Sequence, residues 1–131
     1  MALNIPIRVR NLVKREGTSD PVRIAKYLGC RILYCDLPCH VNGMWRRILR
    51  RKYIFVNESI TEEWQQKAII AHELGHIILH PTYKAYSIHG ISFQSNRRED
   101  EANEFATLLM NYGYPADEYY TRKFLEEGWR L

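Results

Sequence analysis

The sequence predicts an α+β protein, and three observations carry that reading. Apolar residues recur at helical spacing near both ends of the chain. Three short runs rich in Val, Ile, Trp, Tyr and Phe lie between those ends, and one long apolar stretch, residues 68–79, is interrupted by His and Glu. At 131 residues, 46% hydrophobic and 26% charged, the chain reads as one globular domain over residues 1–131 with a real core. Repeats, linkers and low-complexity tracts are absent from it.

The first element is a helix over 5–16, with Ile7, Val9, Leu12 and Val13 on its apolar side and Gly17 at its end. Asp20 then caps a second helix that has Pro21 at its first position. Ile24, Ala25 and Leu28 face inward and Gly29 ends it. Residues 31–35 predict a strand, and 41–49 and 52–57 two more, joined by a short turn near Arg50 and Arg51. Ser59 paired with Glu62, or alternatively Thr61, starts a long helix that runs to about His80, where Pro81 stops it. Residues 81–95 carry Tyr83, Tyr86, His89, Gly90 and Phe93 without periodicity, and a loop of that length is more often functional than idle. A helix over 96–111, ended by Gly113, and a last one over 115–127 complete the chain.

The long helix carries the chemistry. Its segment Ala71-His72-Glu73-Leu74-Gly75-His76-Ile77-Ile78-Leu79-His80 contains H-E-x-x-H. Residues four apart stand above one another on a helix, so His72 and His76 aim two imidazoles at one point. Glu73 is turned by about a hundred degrees, beside that point and free to work on an activated water. Ala68, Ile69, Ile70, Ala71, Leu74, Ile77, Ile78 and Leu79 surround these groups with apolar surface. Burying two imidazoles and a carboxylate is costly unless something satisfies them, and a metal ion would. Gly75 adds to the case, because a glycine inside a helix costs about 1 kcal/mol relative to alanine and marks close packing against another backbone.

A catalytic zinc site takes three protein ligands and leaves a position for water. Thr82, six residues past His76, and Leu79 exclude the metzincin pattern. His80 shares the face of His76, but three imidazoles stacked along one helix diverge and cannot easily close one coordination sphere. The third ligand is sought on the next helix, whose inward stripe is Ala102, Phe105, Ala106 and Leu109. Glu99 falls on that stripe and is the candidate, with Glu101, rotated toward the opposite side, as the fallback. Asn103, four residues after Glu99, is placed to orient a motif histidine. The alternative for Glu99 is a carboxylate favouring the positive end of its own helix.

Other features bound the function. No apolar run approaches the roughly twenty residues of a membrane helix, and Met-Ala-Leu-Asn-Ile-Pro does not read as a secretory signal. Cys30, Cys35 and Cys39 make an odd count, the expectation for reduced thiols in a cytoplasmic protein, and with His40 they match no common zinc spacing. Arg46, Arg47, Arg50, Arg51 and Lys52 gather around one turn beside Trp45 and Tyr53. They suit either a sheet edge protected from aggregation or a contact with an acidic partner. A net charge of +4 and the lack of a recognition helix dense in Arg, Asn and Gln argue against direct DNA binding.

With these residues in view, the chain resembles the ImmA/IrrE-type metallopeptidases. The likeness runs through Asp-Pro-Val-Arg-Ile-Ala-Lys-Tyr-Leu-Gly (20–29), Tyr-Ile-Phe-Val-Asn (53–57), the 71–80 segment and Glu-Ala-Asn-Glu-Phe-Ala-Thr-Leu-Leu-Met (101–110). It implies a small gluzincin-like domain in which a short three-stranded antiparallel sheet packs on the H-E-x-x-H helix. It implies a zinc site of His72, His76 and Glu99 with Glu73 as general base. It also implies site-specific cytoplasmic cleavage of a helix-turn-helix repressor of a mobile element or stress regulon. The chain departs from the family at Asn111, where proline is common, a change expected to be structural. It also has room for only one helix beyond that point, where larger relatives carry sensing domains, which leaves substrate choice to the catalytic domain or an accessory protein.

The sequence thus predicts a zinc peptidase in which Tyr83, Tyr86 or His89 supplies the oxyanion donor. Its rival is a non-catalytic zinc-containing module that regulates by gripping a repressor.

Overall fold

The computed structural model describes residues 3–81 and 96–128. In chain order it forms α1 (Ile5–Glu16), α2 (Pro21–Tyr27), β1 (Cys30–Cys35), β2 (Gly43–Ile48), β3 (Arg51–Asn57), α3 (Glu63–Leu79), α4 (Asn96–Met110) and α5 (Glu118–Gly128). A 3-10 turn at Pro115–Asp117 leads into α5, so the last predicted helix is split in two. Among the described residues no helix is long and apolar enough to cross a membrane.

Local chemistry sets the first two helices. The Asn4 side chain accepts from Ile7 N and Gly17 ends α1 at φ +73°, a conformation glycine adopts without penalty. The buried stripe of α1 is Ile5, Val9 and Leu12, whereas Ile7 is 41% exposed. Ile7 and Val9 are two residues apart and so cannot share a narrow helix face. In α2, Asp20 Oδ1 accepts from Val22 N at 3.1 Å, Pro21 opens the helix, and Ile24 and Ala25 are buried.

The sheet is mixed, which corrects the all-antiparallel expectation. Its order is β1-β3-β2: β2 and β3 form an antiparallel hairpin, but β1 runs parallel to β3, with Ile32 opposite Ile54 and Cys35 opposite Asn57. The physical reason lies in residues 36–42, which carry the chain across the end of β3 before it turns back as β2. Asn57, 3% exposed, holds that crossing segment. Its Nδ2 donates to the carbonyls of Leu37, Pro38 and Val41 at 3.2, 3.2 and 2.9 Å. Its own N–H bonds Asn42 O, and Glu58 N bonds Cys35 O. With β2 displaced to the far side, the returning strand fills the centre and must run with β1. At the hairpin tip Leu49 and Arg50 both have positive φ, and Leu49 is 93% exposed among the arginines of the turn.

Helix α3 starts later than predicted. Neither Ser59 nor Thr61 caps it; the N-cap is Glu62, which makes no side-chain cap bond. Asn57 Oδ1 instead takes the Ser59 N–H, and Gln66 Nε2 ties the first turn to Ile60 O at 2.8 Å. From Ala68 to Ile77 every residue of α3 is buried. It packs against α2, β2, β3, α4 and α5, and its apolar residues belong to one continuous core with Ile24, Ile54, Phe105 and Leu125. Helix α4 ends at Met110, where Asn111 Nδ2 donates to Thr107 O and to Thr121 Oγ1 on α5 at 2.9 and 3.0 Å. The Asn111 departure therefore ties the last two helices together.

Gly43 lets β2 lie directly on α3. A Cβ there would stand 2.5 Å from Ile69 Cγ2 and 2.9 Å from Phe55 O, closer than real side chains tolerate. Gly43→Ala is therefore expected to lower the unfolding free energy by roughly 2–3 kcal/mol, the upper part of the range for overpacked cores. Urea denaturation of the variant beside wild type checks this, and an unchanged midpoint would show that the contact relaxes at no cost.

Candidate metal centre

The site begins with the helical repeat. His72 and His76 lie one turn apart on α3, both buried, with ring centroids 4.8 Å apart and planes crossed at 86°. Helix α4 passes close to α3 at Gly75, where a Cβ would stand 3.2 Å from Ala102 Cα and 3.1 Å from Phe105 Cδ1. A side chain there would make tighter contacts than most real ones, and Gly75 lets the two helices meet without them. Glu99 sits three residues before Ala102 and reaches across the gap. Its Oε1 is 3.3 Å from His72 Nε2 and its Oε2 is 2.8 Å from His76 Nε2.

These three residues each offer a ligand atom, all within 4.8 Å of one another. Two donors bound at zinc's usual distances of about 2.0–2.1 Å in a tetrahedron stand about 3.3–3.4 Å apart. The donor set therefore fits such an ion with small side-chain adjustments. Two imidazoles and one carboxylate are also donors that suit zinc chemically. Among the described residues this is the one group of His, Cys, Asp or Glu that could hold a metal. The cysteines are free thiols outside it, with Cys30 and Cys35 at opposite ends of β1. Glu73 is fully buried beside the two histidines, on the side where β2 begins. A Cβ on Gly43 would lie 3.9 Å from its Oε2.

Glu101 goes elsewhere. It is only 17% exposed and bonds His80 Nε2 at 2.9 Å, while His80 Nδ1 lies 3.3 Å from His76 Nδ1. The helical phase had placed Glu101 on the far side of α4. The chain leaves helical geometry at His80 (φ −127°, ψ 54°), and its imidazole meets Glu101 there. That arrangement was missed in the sequence, where the only sign was a third histidine four residues past the motif and a second carboxylate near Glu99. Asn103 is buried one turn past Glu99, and its Oδ1 has no hydrogen-bond partner among the described residues. Tyr83, Tyr86 and His89 lie outside the described residues.

Burial holds His76 below the usual histidine range, with the Glu99 carboxylate pulling it partly back and His72 adding to the depression. The neutral ring, with a lone pair available to a metal, is thus the favoured form. In the metal-free protein the sign of the linkage follows. The unfolded chain takes up this proton near the ordinary pKa of about 6.5, and the fold takes it up only at lower pH. Stability is therefore present above that value and falls as pH drops below it. Urea midpoints of the metal-free protein at neutral and mildly acidic pH should show the loss, and His76→Gln should shrink it. An equal loss in both proteins would assign it to other groups.

Comparison with known proteins identifies the family. The sequence model of the Peptidase_M78 family, described as the IrrE N-terminal-like domain, matches residues 25–128, from within α2 to the end of α5. A relative from Bacillus phage phi105, described as an uncharacterized immunity region protein 2, is 28% identical over 121 residues, covering 92% of this chain and 76% of its own length. No solved structure matches the chain. Its span from α2 through the H-E-x-x-H helix to α5 makes the chain a member of the M78 peptidase family, the ImmA/IrrE-type metallopeptidases.

Proposed function

We propose that the protein is a zinc-dependent metallopeptidase that cleaves a helix-turn-helix transcriptional repressor at a specific site in the cytoplasm. The observation that carries the reading is the convergence of His72, His76 and Glu99 with Glu73 buried beside them. A zinc ion held there would supply Lewis-acid activation of a water molecule and of the scissile carbonyl. The Glu73 carboxylate takes the proton that the attacking water loses and returns it to the departing amide nitrogen. Its burial among apolar side chains keeps competing water away and strengthens its electrostatic effect on the reacting atoms.

A peptide substrate suits the fold as well as the chemistry. Among the described residues β2 is an outer strand of the sheet, and its first residue, Gly43, sits against Glu73. An extended peptide pairing with that edge would bring its backbone past the carboxylate. The phage relative's description as an immunity region protein supports a setting in which a repressor is the substrate.

Glu73→Gln is expected to keep the metal and the fold but lower cleavage by at least about a hundredfold, because the amide cannot accept the proton. Co-expression of wild type and variant with candidate repressors, followed by a search for a discrete repressor fragment, tests this. Equal derepression by both proteins without any fragment would support a non-catalytic module that grips the repressor.

A further inference from the structure

Two contacts outside the three-residue centre connect it to the start of α4. His80 Nε2 lies 2.9 Å from Glu101 Oε1, and His80 Nδ1 lies 3.3 Å from His76 Nδ1. Both contacts are sheltered, the His80 side chain being 9% exposed and that of Glu101 17%. Arg97 Nε stands 3.6 Å from Glu101 Oε2 at the outer end of this series of contacts.

Hydrogen-bond chemistry orders these contacts in one direction. A carboxylate only accepts, so the His80 hydrogen sits on Nε2 and is donated to Glu101. The other nitrogen of a neutral His80 is then an acceptor. Among the described residues His76 is the group placed to donate to it, through Nδ1–H. That leaves the lone pair of His76 on Nε2, the atom 2.8 Å from Glu99 Oε2. A cation held there would be shared by that lone pair and the Glu99 carboxylate.

We propose that His80, held by Glu101, is a positioning residue that locks the His76 ring with its hydrogen on Nδ1 and its lone pair on Nε2, facing Glu99. The inference rests on the metal-site reading given above and extends it to two residues that touch neither the metal nor the reacting atoms. The partial negative charge passed from Glu101 through His80 makes His76 Nε2 a better donor and fixes its direction. His80 and Glu101 also join the end of α3 to the start of α4, the two segments that must keep register for the centre to form.

Zinc affinity of the purified protein, measured by competition with a chromophoric chelator, tests the relay. His80→Leu is expected to weaken zinc binding about ten- to a hundredfold. His80→Gln should recover most of the loss, because its amide oxygen can accept from His76 Nδ1–H. Long-range proton–nitrogen NMR of the zinc-loaded wild type should find the His80 hydrogen on Nε2. In Glu101→Leu that preference should be lost, a change that a merely structural tie would not produce. A His80→Leu affinity within twofold of wild type, a folded His80→Gln as weak as His80→Leu, or a His80 hydrogen on Nδ1 would each overturn the relay. A wild-type protein without zinc affinity would remove the metal-site reading and the relay with it. Normal wild-type binding with an unaffected His80→Leu removes the relay alone.

Discussion

The candidate centre depends on the close approach of α3 and α4 at Gly75. Two of its groups come from one helix and the third from another, so their separation is set by how near the two backbones come. Ala102 Cα and the Phe105 ring lie within 3.2 Å of where a Cβ would be, so the two helices meet closely there. A glycine in the middle of a helix costs about 1 kcal/mol against alanine. In return Glu99 reaches both imidazoles, and Glu101 reaches His80 one step further out.

Around this contact the fold supplies an apolar container for polar groups. α3 is buried on nearly every side, by the sheet, α2, α4 and α5. The same burial takes His72, Glu73 and His76 out of water, a desolvation cost that a bound cation would offset. Helix α4 adds to that cost along the stripe that starts at Glu99. Asn103 Oδ1 and Thr107 Oγ1 are buried there with no hydrogen-bond partner among the described residues. A core designed for stability alone would place apolar side chains at these positions. Their presence beside Glu99 marks where the molecule gives up stability for a site.

Much of this was legible in the residues because it is local. The H-E-x-x-H spacing fixes two imidazoles on one face whatever the tertiary structure, and Gly75 announced a close helix neighbour. Asp20 and Pro21 marked the start of α2 to the residue. The apolar stripe of α4 carried Glu99 to the side that faces α3. What was illegible depends on long-range pairing. The parallel β1–β3 pair follows from Asn57 gripping carbonyls 16 to 20 residues earlier in the chain. No period-two pattern encodes that. The His80–Glu101 bond spans 21 residues and needs the exit angle of His80 from α3, which a helical wheel assumes away. Asn57 also captured the Ser59 N–H, which left the predicted cap of α3 without a role.

A crystal structure grown with zinc, with diffraction recorded at the zinc absorption edge, tests the account most directly. It predicts one strong anomalous peak within about 2.0–2.2 Å of His72 Nε2, His76 Nε2 and a carboxylate oxygen of Glu99. A peak lodged between His80 and Glu101, or His72 and His76 turned away from Glu99 with no metal between them, would contradict it.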